Sequence, residues 1–235
     1  MKHVLVVRTG SVPEAMRARL GDFTDWFASL LAPSVRTEVV CAQGELPSVS
    51  RCGGVLVTGS LKSVTRPEPW MDELGGWLVR AANTRPVLGI CFGHQLIARA
   101  LGGIVERHVK GPEAGTVEVE LTDAGQRDPL FAGLPVRFGV QQGHEDHVAR
   151  LPPGAVLLAR NDHTPVQAFA HGPMLRAIQF HPEFTAERSE AFVRVDRDWL
   201  DGFSPGLAEA TLAGIRQTRE ASVIVANWAS AFVRG

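Results

Sequence analysis

The sequence predicts an α/β fold, three-layer α/β/α and Rossmann-like, with a mostly parallel sheet that carries an antiparallel extension. Three observations predict it. Up to residue 103, short runs rich in Val, Leu and Ile alternate with segments of helical periodicity, an alternation that builds a parallel sheet covered on both faces. From residue 104 to about 181 the texture changes to strand-like runs separated by turn signals, which extend the same sheet by antiparallel pairing. After residue 186 the pattern is helical to the end.

Taken in order, HVLVVR (3–8), RTEVVCA (36–42), GVLVTG (54–59) and PVLGIC (86–91) are short and almost wholly apolar, as strands buried on both faces are. Between them, DFTDWFASLLA (22–32) and PWMDELGGWLVRAAN (69–83) repeat their apolar residues at helical spacing, with Trp26, Trp70 and Trp77 as core anchors. TVEVELT (116–122), VRFGVQ (136–141), AVLLAR (155–160) and MLRAIQF (174–180) supply the antiparallel part, and SPG (204–206) separates two C-terminal helices. No internal repeat, low-complexity tract or linker interrupts the chain. The expected organisation is one domain over 1–185, with a helical extension over 186–235 packed on the same domain.

At 235 residues and 45% hydrophobic content the chain can bury a sizeable core. Lys and Arg number 24 against 25 Asp and Glu, so no global field draws it to nucleic acid or to anionic lipid, and neither is expected as a partner. Arg8 interrupts the N-terminal apolar run, and no stretch approaches the roughly 20 apolar residues of a membrane span. A cytoplasmic protein is expected. Cys41, Cys52 and Cys91 are too few, and odd in number, for a disulfide framework, and no CxxC pair offers a zinc site. Neither GxGxxG nor GxxxxGK[ST] occurs, so no nucleotide or other cofactor is expected.

Chemistry enters at G-I-C-F-G (89–93), whose spacing matches the strand-turn-helix elbow that presents a nucleophile. A sharp turn there forces an unfavourable backbone angle at the nucleophile, and Gly89 and Gly93 remove side chains that would collide. The Cys91 thiol then meets a helix amino terminus, which favours thiolate, and the Phe92 N–H is aimed at an oxyanion on the attacked carbonyl. A buried structural cysteine would explain this motif alone. QFHPEF (179–184) supplies the second feature: His181 and Glu183, at i and i+2 around Pro182, point the same way on extended backbone. Glu183 can orient one ring nitrogen and leave the other to serve Cys91.

With these residues the chain resembles the class I, or triad, glutamine amidotransferases. LGICFGHQ resembles their nucleophile segment, QFHPE their His-Pro-Glu segment, VLVTGSLKSV (55–64) their oxyanion loop and VQQGHEDHV (140–148) their substrate-pocket stretch. The resemblance runs from about residue 1 to 185 and is nearest the free-standing group similar to the GMP synthetase glutaminase domain, which includes γ-glutamyl peptidases. It implies Cys91 as nucleophile, His181 as base and then acid, and Glu183 as the orienting carboxylate. It further implies a second oxyanion N–H from the Gly59–Ser60 loop, from Ser60 or its neighbour. Gln95, aided by backbone near His144, would hold the amino-acid end of the substrate. Two departures lie around that pocket: Gly143 replaces the usual Ser or Asn, and KGPEAG (110–115) matches the family's Glu-x-Gly stretch only loosely.

His144, Glu145, Asp146 and His147 raise a metal reading, but on one helical turn they would point apart and no HExxH is present, so no metal is expected. The expected function is cleavage of a γ-glutamyl amide through a Cys91 thioester, releasing ammonia or an amine. A small-molecule substrate is implied, glutamine or another γ-glutamyl compound, with a separate synthase subunit if ammonia is passed on. The alternatives are a free-standing γ-glutamyl peptidase and a non-catalytic regulatory or binding subunit.

Overall fold

The structure, a computed structural model, describes residues 2–31 and 35–233. Its first half is β1 (Lys2–Arg8), α1 (Glu14–Leu20), α2 (Phe23–Leu31), β2 (Val35–Cys41), β3 (Gly54–Val57), α3 (Pro69–Ala81), β4 (Val87–Ile90) and α4 (Phe92–Ala100). The antiparallel region follows as β5 (Ile104–Arg107), β6 (Glu113–Leu121), α5 (Asp123–Arg127), β7 (Arg137–His144), β8 (Asp146–Arg150), β9 (Ala155–Arg160), β10 (Ala168–His171) and β11 (Leu175–Ile178). The chain closes with α6 (Ala186–Val195), α7 (Arg197–Phe203), α8 (Leu207–Gly214) and α9 (Arg219–Ala231). The four early strands and two early helices stand where the sequence places them, except that residue 32, the predicted end of the helix over 22–32, lies outside the described residues.

The main sheet has nine strands in the order β2-β1-β3-β4-β11-β10-β9-β6-β7. Pairing is parallel from β2 to β11 and antiparallel from β11 to β7. β5 and β8 form a separate two-stranded sheet. In β1, Val4 and Val6 belong to the cluster shared with α2 and α9, whereas Leu5 and Val7 belong to the one shared with α3 and α4. This period of two explains the wholly apolar strands: each face of the sheet meets a helical layer.

The topology also positions the site. β4 and β11 are parallel neighbours, Ile90 paired with Ile178, so the residues that follow each strand emerge side by side. β1 and β3 end at the same carboxyl edge, where α/β sheets bind ligands. Successive antiparallel reversals bring the end of β7 and the start of β6 to that edge too, with His144 directly across from Glu113. The C-terminal helices contribute Ile224, Val225 and Trp228 to the core under α2.

Candidate active site

Cys91 follows β4 as the residue before α4, with φ 48° and ψ −101°, and it is the one non-glycine residue of positive φ among the described residues. Such a conformation costs about 1–3 kcal/mol and persists only where surrounding packing imposes it. A Cβ on Gly89 would lie 2.6 Å from Ile97 Cδ1 and 2.9 Å from the Gly93 backbone, and one on Gly93 would lie 3.0 Å from Val57 Cβ and O. The two glycines therefore let β4, α4 and β3 close around the elbow. Cys91 donates its backbone N–H to Ile178 O at 2.9 Å, which ties the elbow to β11.

His181 lies three residues beyond Ile178. Its Nδ1 sits 2.7 Å from Glu183 Oε1, and its ring lies beside the Cys91 sulfur. Cys91, His181 and Glu183 are 5%, 4% and 1% exposed. Burial alone would push the His181 pKa down, but the Glu183 carboxylate and the Cys91 sulfur outweigh it and raise it to about 10. The ring is thus held as imidazolium at neutral pH. Phe184 stacks on it, centroids 4.1 Å apart, and the other carboxylate oxygen, Glu183 Oε2, is buried with no hydrogen-bond partner among the described residues. Gly59 faces this ring from the loop after β3: a Cβ there would come 2.9 Å from His181 Cε1.

The peptide after Gly59 has a fixed orientation. Its carbonyl accepts hydrogen bonds from the Thr9 hydroxyl at 2.8 Å and the Thr58 hydroxyl at 2.9 Å. In a trans peptide the next N–H points the opposite way, so of the two positions left open by the sequence it is the Ser60 N–H that turns from those threonines. The Phe92 N–H, in the first turn of α4, has no intrahelical partner. Ser60, Cys91, Phe92, Gln95, Gly143 and His144 line one cavity of about 450 Å³.

Two sequence-predicted residues prove to be internal. Gln95 Nε2 donates to Asp146 O at 2.7 Å and to Gln179 Oε1 at 3.1 Å, buttressing the cavity wall. His144 is buried with Nδ1 3.0 Å from Asp146 O and Nε2 3.0 Å from Glu113 Oε2, so both ring nitrogens face acceptors. Glu113 also accepts from Asn161, Thr164 and Gln167. Burial alone would raise its pKa, but the His144 ring, the Asn161 amide and the nearby His163 hold it below the ordinary carboxyl range. The expected helical turn at 144–147 is corrected: β7 ends at His144 and β8 begins at Asp146, since His144 pairs with Glu113 of β6 and Asp146 with Arg107 of β5. Among the described residues no group of His, Cys, Asp or Glu is disposed to hold a metal ion. Of the tryptophans, Trp26 is buried, but Trp70 and Trp77 are only half-buried and donate to Glu68 and Pro47 O. Gly143 is exposed, and a Cβ there would meet nothing within 4 Å.

Sequence reasoning passes over Gln179 and Thr9. Gln179 Nε2 stands 3.6 Å from Cys91 Sγ while its Oε1 is shared by His94 and Gln95; its place two residues before His181 is the signal that marks it. Burial, aided by His144, pushes the His94 pKa down to about 3, so His94 stays neutral. Thr9 carries no local signal, because it meets Gly59 only through the pairing of β1 with β3.

Residues 29–195, well over half of the chain, match the family described as glutamine amidotransferase class-I. The chain belongs to the class-I glutamine amidotransferases. Curated relatives of the chain include one subunit of the glutamine-hydrolyzing GMP synthase of Thermococcus kodakarensis, 46% identical over 99 residues that span 42% of this chain and 50% of the relative. Gamma-glutamyl peptidase 5 of Arabidopsis thaliana is 33% identical over 150 residues, 61% of this chain and 60% of the relative. The chain thus matches only about half to three-fifths of the length of these two relatives. A glutamine amidotransferase crystal structure from Methylobacillus flagellatus superposes with a TM-score of 0.75 at 23% identity, over 100% of this chain and 97% of the other, a likeness of fold.

Proposed function

We propose that the protein cleaves γ-glutamyl amide bonds through a γ-glutamyl thioester on Cys91. The observation that carries this reading is the strained elbow that holds Cys91 against the His181–Glu183 pair. The Cys91 sulfur attacks the γ-carbonyl, forming an S–C bond, and the oxygen takes up negative charge opposite the N–H groups of Phe92 and Ser60. The intermediate collapses, the C–N bond breaks, and the nitrogen departs with the proton from His181. Water then gives a proton to His181 and attacks the thioester, releasing the thiolate and the γ-carboxyl group, which gives up its proton to solvent. Glu183 keeps the ring oriented and its positive charge compensated in both halves.

The open space at Gly143 favours a γ-glutamyl compound larger than glutamine. A side-chain donor is missing where the resemblance places the amino-acid end, and an unpaired polar end costs about 1–3 kcal/mol. The cavity volume falls in the range that holds drug-sized ligands. Turnover of free glutamine without a synthase partner is therefore expected to be poor beside that of γ-glutamyl peptides and amides. The test measures kcat/KM for both classes, with and without Gly143→Ser, a substitution that has room to fit. Vigorous glutamine hydrolysis, unchanged by Gly143→Ser, would contradict the substrate reading, and release of no amine from any compound would contradict the hydrolase reading.

A further inference from the structure

The cavity over Cys91 is bounded on one side by residues that the family match does not reach. The match ends at residue 195, yet Asp196 and Trp199 line the same cavity as Cys91 and Phe92. Asp196 immediately precedes α7, and Trp199 is three residues on, so the two side chains share a helical face.

Most charges around this cavity are answered within the protein. Lys62 pairs with Glu68, Arg107 with Glu145, and Asp146 accepts from the Ser63 and Thr65 hydroxyls. Arg66 is exposed to solvent at the rim. Asp196 is different. An aspartate before a helix ordinarily accepts from the backbone N–H groups of the first turn, but here the side chain makes no capping bond. Burial raises its pKa, and no cation contributes in the opposite sense. Among the described residues no side chain pairs with this half-buried carboxylate, which leaves it free to meet a cationic group entering the cavity. Beside it the Trp199 indole is 37% exposed, and a carboxylate with an aromatic face is a receptor for an ammonium group.

The resemblance places the glutamyl α-end near Gln95 and His144, which leaves Asp196 and Trp199 of the same cavity for the leaving group. An ammonium at the end of an apolar chain fits both residues. We propose that Asp196 and Trp199 form a cation subsite for the leaving group, and that the preferred substrates are γ-glutamyl amides whose leaving amine carries a second, protonated amino group. The proposal rests on the γ-glutamyl amide reading above. The distal ammonium stays protonated throughout, while the scissile nitrogen takes its proton from His181.

The test pairs γ-glutamyl derivatives of linear diamines, three to five methylenes long, with those of matched alkylamines. The native protein is expected to favour the diamine derivative by roughly tenfold or more in kcat/KM, the scale of a desolvated charge-assisted contact. In Asp196→Asn and Trp199→Leu that ratio should fall toward unity, whereas a merely structural role would depress both substrates together and leave it intact. Calorimetry of the free diamines against Cys91→Ala gives a second readout that needs no turnover. Binding that is lost on adding Asp196→Asn supports the subsite even if no amide is cleaved, in which case the hydrolase reading fails and the subsite stands. Cleavage of amides with no diamine preference, a ratio unmoved by Asp196→Asn, or no diamine binding to Cys91→Ala overturns the subsite.

Discussion

Cys91 holds a backbone angle that only packing can sustain, and His181 is a charged ring in a place where burial alone would leave it neutral. Both departures from ordinary preference meet at the same sulfur. Since the His181 pKa is raised from 6.5 to about 10 on folding, the stability contributed by its imidazolium is full below about pH 6.5 and is lost as the pH rises through about 10. The ring protons of His181 in NMR should therefore keep imidazolium positions at pH 8, and Glu183→Gln should return the ring to the neutral form there. A neutral ring at pH 7 in the native protein would contradict this. The Cys91, His181 and Glu183 positions are legible in the sequence because each depends on local spacing, an elbow in one case and an i, i+2 pair in the other. Thr9, Glu113 opposite His144 and Asp196 are not, because each acquires its neighbour only through strand register or helix docking.

Among the elements, the elbow between β4 and α4 is tightly constrained, since three pieces of backbone meet there with no room for a methyl group. Gly89→Ala puts a Cβ 2.6 Å from Ile97 Cδ1 and 2.9 Å from the Gly93 backbone. It should cost about 1–3 kcal/mol of stability in denaturant unfolding and remove activity by moving Cys91 off His181. Unaltered stability and turnover in Gly89→Ala would show that the elbow is looser than described. Apolar strands and long helices are legible because their periodicity is strong over several residues. The short helix α1 and strands β5, β8 and β10 do not stand out, as their four to seven residues give too few repeats to separate from loops. The segment 144–147 reads wrongly as helical because two histidines and two acids carry no apolar period from which a strand end could be recognised.

For the molecule as a whole, two apolar layers pressed on one sheet make the carboxyl edge of the parallel strands a rigid platform. α9 belongs to that platform, with Trp228 fully buried beneath the sheet beside Val4 and Leu56. Neutral buried histidines give the platform a sensitivity to acid. The His94 pKa is lowered to about 3, and burial also lowers those of His108 and His147, so below about pH 6.5 the unfolded chain binds protons that the folded one refuses. Stability should fall as the pH drops from there toward 3, by up to about 1.4 kcal/mol per pH unit for His94, with His108 and His147 contributing in the same direction. His94→Gln should flatten this acid limb in urea unfolding, and an unchanged slope would remove His94 as a cause. The central claim, that Cys91 is the nucleophile, is tested most directly by the mass of the intact protein after reaction with a chloromethyl ketone analogue of glutamine, followed by peptide mapping. One equivalent bound at Cys91, in step with the loss of amide cleavage and absent from Cys91→Ala, is the expected result; labelling of Cys41 or Cys52 with Cys91 spared in the folded protein would contradict the claim.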